Sequence, residues 1–165
     1  MRPVPRRILC ATDLSDGSPE LFSYAVSKAR ENDAGILVLH VVSRWAVWKG
    51  RIGALWAGVP FNKRWARIKW DTCEKMKDRM AQFFARHRQD GLVLSNCFET
   101  RLVVHGKVAE EIAAKADLFQ CDAIVVGCSR KGFWKPRQRN RLAKRLVRLS
   151  PRPIHTAPLP VSRFR

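Results

Sequence analysis

Short, almost continuous apolar runs recur along the chain, and each has the length of a buried strand. Segments of this kind are Ile8–Ala11, Ile36–Val42 and Ala123–Gly127, and two more mixed segments, Asn96–Val104 and Ile154–Ala157, are further strand candidates. A run without regular polar alternation is typical of a strand covered on both faces, as in parallel sheets. The pattern therefore predicts five strands. Prolines on both sides of the last segment favour an edge position for it.

The segments between these runs carry apolar residues at spacings of three and four, which predict helices. We expect helices over residues 18–32, 65–88, 107–120 and about 140–149. Ser18 is the expected N-cap of the first, with Pro19 at its first helical position. Strands that alternate with helices in this way predict an α/β fold with a parallel sheet.

Two of these helices have a definite predicted inward face. In the long helix over 65–88, the side chains expected to face the sheet are Ile68, Thr72, Met76, Phe83 and Phe84. In the last helix they are Leu142, Leu146 and Leu149, which lie at i, i+4 and i+7. The basic residues Arg137, Arg141, Lys144, Arg145 and Arg148 lie on its other side.

Composition fits one domain over residues 1–165. The chain has 165 residues, a mass of 18.9 kDa and 46% apolar residues, enough for a real core. No apolar run approaches the roughly 20 residues of a membrane span, and the N-terminal run is too short for a secretory signal. We therefore expect a cytoplasmic protein. Five scattered cysteines without a C-x-x-C pair predict reduced, buried thiols, and the four histidines show no metal-ligand spacing.

The charge is unusual, because 32 basic residues face 14 acidic ones and the net charge is +18. Residues 130–165 hold twelve basic residues and no acidic residue. A solvated helix face normally mixes signs, since like charges at i, i+4 repel. The basic face of the last helix is thus a candidate surface for a polyanion: nucleic acid, an anionic lipid surface or an acidic protein. A merely solvated face is the alternative.

Tryptophan is concentrated in a second basic segment. Five of the six tryptophans lie between residues 45 and 70, and an insertion is predicted at about 43–64. One interpretation buries these side chains on the domain or at a dimer interface. A second places Trp45, Trp48 and Trp56 on an interfacial helix, with peripheral contact at the inner membrane surface. A third stacks them on single-stranded bases. A basic tail over 158–165 completes the chain.

Several motifs in this order resemble the universal stress protein family. They are ILCATDLSDGS near the start, LVLHVV, GKVAEEIAAKADLFQCDAIVVG and SPRPI. The resemblance implies a doubly wound, Rossmann-like, mainly parallel sheet of five strands in the order 3-2-1-4-5, with helices on both faces. It also implies a homodimer made by pairing of the last strands, at about Ile154–Ala157. Many members bind ATP through a glycine-rich loop after strand four.

The ATP fingerprint of that family is only partly present. Aligned without gaps to Pro151-Arg152-Pro153, its first glycine is Gly127, but its later positions hold Arg130, Asn140 and Arg141. Ala11, Asp13 and Val41 match positions near the adenosine pocket. The changes favour a pocket without nucleotide and no cofactor. The alternatives are an anion site rewritten around Arg130 and Arg141, or ATP or AMP binding despite the changes.

No residue set predicts catalysis. Gly127-Cys128-Ser129 follows a strand as a nucleophile elbow does, but Lys131 stands where that motif needs glycine. We therefore expect a non-catalytic, homodimeric stress-response binding or adaptor protein with a basic surface for a polyanion or membrane. The rival hypotheses are a nucleotide-binding stress protein, including a slow ATPase, and a nonspecific nucleic-acid binder.

Overall fold

Five parallel strands form the centre of the protein. In this computed structural model, the described residues are 6–14, 17–43, 61–86, 98–129 and 141–159, without the side chains of 61–72, 98, 128, 129 and 159. The strands are β1 (Arg7–Thr12), β2 (Gly35–Ser43), β3 (Phe98–Gly106), β4 (Ala123–Ser129) and β5 (Ile154–Leu159). Their order is β3-β2-β1-β4-β5, and every pair is parallel. This confirms the predicted fold class and strand order.

Within the described ranges, four helices cover the two faces of the sheet. They are α1 (Ser18–Asn32), α2 (Phe61–Arg86), α3 (Val108–Leu118) and α4 (Arg141–Leu149). Alternate strand residues enter separate cores: Ile8 and Cys10 of β1 pack with α1 and α2, whereas Leu9 packs with α3 and α4. Every central strand therefore needs apolar side chains on both faces. This is the physical reason for the continuous apolar runs in the sequence.

The start of α1 differs from the prediction. Its N-cap is Gly17 and not Ser18, and the cap makes no side-chain hydrogen bond. Ser18 is the first helical residue, and its buried hydroxyl shares a hydrogen bond of 3.0 Å with the hydroxyl of Thr12. The predicted N-cap was wrong because this hydroxyl bonds to the end of β1 instead of to the helix backbone.

Helix α2 begins four residues earlier than predicted, inside the segment assigned to the insertion, and ends two residues earlier. Phe84 is buried and Phe83 is half-buried, as expected, but the prediction omitted the buried Met80. Phe83 and Phe84 each lie with ring centroids 5.2 Å from that of Phe22 in α1. Aromatic packing of this kind fixes the helix against its neighbour. The side chains of Ile68 and Thr72 lie outside the described part.

In α4 the predicted inward face is only partly correct. Leu146 is fully buried and Leu142 packs at the edge of the same core, but Leu149 is 43% exposed. Leu149 is three residues beyond Leu146, which rotates it about 60° from the inward direction. It is also the last residue of the helix, where the neighbouring layer ends. The prediction for Leu149 was therefore wrong.

Acidic residues of α3 offset part of the basic charge that follows β4. Arg145 pairs with Glu110, and Arg152 pairs with Asp117 while donating a second hydrogen bond to the carbonyl of Cys121. The ion pair of Arg145 joins α4 to α3, and the ion pair of Arg152 joins the segment before β5 to α3. Arg152, one of the twelve basic residues of 130–165, is therefore a structural residue.

Strands β3 and β5 form the edges of the sheet. The predicted homodimer through Ile154–Ala157 stays a prediction. Trp45, Trp48 and Trp56, the rest of the insertion before Phe61, and the tail after Leu159 lie outside the described residues. Among the helices that the structure describes, none combines the length and apolar character needed to cross a membrane.

Leu146 and Leu118 provide a matched test of the packing in the core between the sheet and helices α3 and α4. Leu146 is fully buried and Leu118 is 66% exposed. Leu146→Ala should lower the free energy of unfolding by about 2–5 kcal/mol, because it leaves a cavity among packed side chains. Leu118→Ala should change it by less than about 0.5 kcal/mol. Urea unfolding of both variants measures the difference, and equal losses would contradict the packing described.

Candidate functional site

A cleft of about 470 Å³ opens at the carboxyl ends of β1, β2 and β4. Its floor is formed by strand ends and its walls by helices from both faces. The lining residues are Ala11, Thr12, Asp13, Gly17, Ser18, Leu21, Leu39, His40, Val41, Val42, Ser43, Met76, Arg79, Val108, Ile112, Gly127 and Leu142. Strand order reverses between β1 and β4, and ligands of such sheets bind at this switch point.

Thr12 joins three of the elements that surround the cleft. Its carbonyl accepts a hydrogen bond of 2.9 Å from His40 Nδ1 in β2. Its hydroxyl oxygen accepts one of 3.0 Å from the backbone N–H of Leu14 and contacts the hydroxyl of Ser18 at the start of α1. Leu14 has a φ of 56°, so the chain turns sharply directly after β1. The exposed Asp13 lies within this turn, at the cleft.

His40 is a neutral side chain at the floor of the cleft. It is 8% exposed, and burial lowers its pKa below the ordinary value of 6.5. The charge of Arg79 lowers that pKa further, whereas the hydrogen bond to Thr12 and the charge of Asp13 raise it. Because the Thr12 carbonyl can only accept, Nδ1 must carry the proton. Nε2 is then the acceptor nitrogen of the neutral ring.

Helix α2 supplies one wall through Met76 and Arg79, which are three residues apart on one face. Phe83 and Phe84, one turn further on, anchor this face against Phe22 of α1. Arg79 is exposed, and it makes no ion pair with any carboxylate in the described ranges. It is the only lysine or arginine among the described lining residues.

Two helix N-termini also reach the cleft. Gly17 and Ser18 begin α1, and Val108 begins α3 after the N-cap Lys107. Neither N-cap makes a side-chain hydrogen bond. The first turns of helices present backbone N–H groups and a partial positive charge, which favour anions. The cleft thus combines one carboxylate, one cation and two positive helix ends.

The structure brings four of the predicted site residues together. Ala11, Asp13, Val41 and Gly127 all line the cleft, and their role in binding a ligand stays a prediction. Arg141 is the first residue of α4 and is exposed; its neighbour Leu142, not Arg141, is among the lining residues. Arg130 and Asn140 lie outside the described residues.

Sequence reasoning missed Arg79 and treated His40 only as a residue of the sheet. The signal for His40 was its place near the carboxyl end of an otherwise apolar strand. The signal for Arg79 was its spacing from Met76, a residue predicted to face inward. Neither signal is strong alone, because only the folded chain brings α2 next to the ends of β1 and β2.

The predicted polyanion surface is only partly available. Arg141, Lys144 and Arg148 are exposed on α4, without a described carboxylate within ion-pair distance. Arg145 belongs to the predicted set, but its guanidinium pairs with Glu110. Arg137 lies outside the described residues. Three cations of α4 therefore remain for a partner.

The described thiols suit a structural role. Cys10, Cys73 and Cys121 are free cysteines, and burial raises the pKa of Cys10 to about 12 and that of Cys121 to about 11. A thiol with such a pKa is protonated at neutral pH and is a weak nucleophile. Within the described ranges, no cluster of three or more His, Cys, Asp or Glu side chains could hold a metal ion.

The state of His40 can be tested by ¹⁵N NMR and by unfolding. We expect the Nδ1–H tautomer and a pKa below 6.5. Since the unfolded chain then binds the proton first, stability should fall as pH drops below about 6.5 and should stop falling below the folded pKa. His40→Gln should lose this part of the pH dependence. A pKa above 6.5 would contradict the effect of burial on His40. Protonated Nε2 with bare Nδ1 would contradict the hydrogen bond to Thr12.

Comparisons with known proteins agree with this architecture. The model of the Universal stress protein family matches residues 5–55. No curated protein matches the sequence significantly. The universal stress protein UspA from Lactobacillus plantarum is 18% identical with a TM-score of 0.62, over 92% of this chain and 96% of that one.

Two further solved structures have the same fold. A universal stress protein in complex with cAMP is 17% identical with a TM-score of 0.55, over 93% of this chain and 97% of that one. A family member from Burkholderia pseudomallei is 19% identical with a TM-score of 0.53, over 92% and 94%. The protein thus matches the universal stress protein family in sequence over residues 5–55, and it has the fold of that family over nearly its whole length.

Proposed function

We propose that the protein is a non-catalytic binding protein whose cleft takes a nucleotide of the adenosine monophosphate class. The observation that carries this proposal is the cleft itself, about 470 Å³ at the switch point of the sheet. Its volume is in the range of small-molecule sites. A structural relative with the same fold is in complex with cAMP, which supports the same class of ligand here.

The lining fits a molecule with an apolar, a hydrogen-bonding and an anionic part. Leu39, Val41 and Val42 offer apolar contact at the end of β2. The carboxylate of Asp13 accepts hydrogen bonds, which suits ribose hydroxyls or the amino group of a base. Positive helix ends and a cation suit a phosphate. Adenine, ribose and phosphate supply these three parts in one ligand.

The proposal revises the interpretation that the changed glycine loop leaves an empty pocket. Loss of glycines at the positions of Arg130 and Asn140 removes close backbone approach on the side of β4, but it does not remove the opposite wall. A ligand with a single phosphate needs less of that loop than ATP does. The proposal therefore favours AMP over ATP.

Binding without catalysis is part of the proposal. Hydrolysis of a phosphate ester needs a positioned water or nucleophile and stabilisation of the developing charge. Among the described groups, Nδ1 of His40 is already hydrogen-bonded to the carbonyl of Thr12, and the buried hydroxyl of Ser18 is hydrogen-bonded to the hydroxyl of the same residue. These side chains hold the loop in place and do not form a nucleophile–base pair with each other.

Asp13 is the residue to vary in a test of this function. Hydrogen bonds to a charged group are each worth about 1.5–3 kcal/mol, so Asp13→Asn should weaken AMP binding by about tenfold to a hundredfold. Asp78→Asn is the matched control, because Asp78 is exposed on α2 and is not among the lining residues. Isothermal titration calorimetry measures both, after nucleic acid has been removed from the protein.

Inorganic phosphate is the second control in that experiment. If phosphate alone binds with the same heat and the same affinity as AMP, the cleft is only an anion site and the proposed nucleotide function is wrong. The same conclusion follows if Asp13→Asn and Asp78→Asn bind AMP as the unchanged protein does.

A polyanion-binding surface is the second candidate function. The observation that favours it is the set of exposed cations Arg141, Lys144 and Arg148 on one short helix, without acidic residues in its first turn. Arg141 at the N-terminus opposes the helix dipole, at a cost of about 0.3–1 kcal/mol, whereas Arg148 lies in the last turn, where the dipole favours a positive charge. An arrangement that costs stability is favoured when it serves an external phosphate-rich partner.

The polyanion function can be measured on a mixed-sequence DNA duplex. The triple variant Arg141→Ala, Lys144→Ala, Arg148→Ala should weaken binding and reduce the slope of log K against log salt, by about 0.9 for each phosphate that the variant no longer neutralises. The variant Arg30→Ala, Lys75→Ala, Arg86→Ala removes the same charge from exposed positions elsewhere and should keep most of the slope. Equal effects of both triples would show attraction by net charge alone and would contradict a defined surface.

A further inference from the structure

We propose that Arg79 of α2 is the phosphate-binding residue of the cleft, on the wall that α2 forms. This inference rests on the proposed nucleotide function and assigns the anionic end of the ligand to one side chain. Arg79 lines the cleft, carries a permanent charge and makes no ion pair with a described carboxylate. The fingerprint loop follows β4, whereas Arg79 comes from the helix that precedes β3.

The backbone position of Arg79 is fixed by the packing of neighbouring residues of α2, and not by contacts of the Arg79 side chain. Met80 and Phe84 of the same helix are buried, and the rings of Phe83 and Phe84 contact Phe22 of α1. Arg101 of β3 also packs on this cluster, with its guanidinium carbon 4.0 Å from the centroid of the Phe84 ring. The backbone at Arg79 is therefore already fixed, and binding of an anion has to order only the exposed side chain.

The electrostatic surroundings of Arg79 favour an external anion. His40 is near enough for the two charges to interact, and it is neutral at physiological pH because of its burial. The described lining therefore holds no second permanently charged cation beside Arg79. The N-termini of α1 and α3 add partial positive charge. Phosphate is bound well by this combination, since arginine offers paired N–H donors and helix ends offer backbone N–H groups.

Asp13 gives the cleft a charge opposite to that of Arg79. Asp13 and Arg79 both line the cleft, and they shift the pKa of His40 in opposite directions. A ligand that suits both residues must carry hydrogen-bond donors at one end, for Asp13, and an anionic group at the other end, for Arg79. Adenosine monophosphate has this polarity, with ribose hydroxyls and base at one end and phosphate at the other.

Adenosine and AMP differ only in the phosphate, so the pair isolates the role of Arg79. We expect AMP to bind the unchanged protein about tenfold to a hundredfold more tightly than adenosine does, as charge-assisted hydrogen bonds predict. In Arg79→Ala this ratio should lose most of its size, because only the helix ends still favour the phosphate, while adenosine affinity stays within about twofold. Arg79→Lys should keep part of the ratio, because the charge is retained and the paired geometry is lost.

Arg86→Ala is the matched control, since Arg86 is an exposed arginine in the last turn of the same helix and does not line the cleft. It should leave the ratio unchanged. Thermal unfolding without ligand should be the same for all three variants, because both arginines are exposed. A second readout is the ³¹P shift of bound AMP: Arg79 should lower the second pKa of the phosphate below its ordinary value of about 6, and Arg79→Ala should restore it.

The outcomes separate this inference from the proposed function. If Arg79→Ala keeps the ratio of AMP to adenosine affinity, Arg79 does not bind the phosphate, and the nucleotide function stands without it. If adenosine and AMP both fail to bind the unchanged protein, the proposed function and this inference are both wrong. A loss of adenosine and AMP affinity by the same factor in Arg79→Ala also overturns the inference, because that pattern indicates a general effect on the cleft.

Discussion

The hydrogen bonds of Thr12 are the interactions on which the shape of the cleft depends. Thr12 ends the central strand, and its carbonyl and hydroxyl bind groups in β2, in the turn after β1 and at the start of α1. These bonds hold His40 in one tautomer, turn Leu14 into a left-handed conformation and direct the N-terminus of α1 to the cleft. Asp13, between Thr12 and Leu14, is thereby placed at the cleft.

The two-sided burial of the sheet explains why polar chemistry collects at this edge. Ile8 and Cys10 on one face, and Leu9 on the other, leave no room for charged groups in the middle of β1. The polar residues that the strands contribute to the cleft therefore lie at their carboxyl ends or just after them, where parallel topology brings these ends together. The same topology brings α2 over the ends of β1 and β2. Asp13 and Arg79 therefore share a cleft although 66 positions separate them.

Periodicity was sufficient to predict the strands, the helices and a parallel sheet, whereas the strand order followed from the resemblance to the family. It was not sufficient at the ends of elements. Ser18 has the residue type of an N-cap, but its hydroxyl bonds to Thr12, which is adjacent only in the folded chain. Leu149 fits a helical stripe, but it lies beyond the layer that the stripe covers. The motif position of Gly127 identified the edge of the cleft, whereas Arg79 has no motif and is found only from the packing of α2.

The two ends of the proposed ligand are assigned to residues of different origin: Asp13 and Val41 from strand ends that resemble the family, and Arg79 from a helix outside its fingerprint. A crystal structure of the protein with AMP tests this assignment most directly. We predict adenosine at Asp13 and Val41, and phosphate within hydrogen-bond distance of the Arg79 guanidinium. Phosphate seated in the loop after β4, with Arg79 directed into solvent, would contradict the assignment, as would AMP bound outside the cleft.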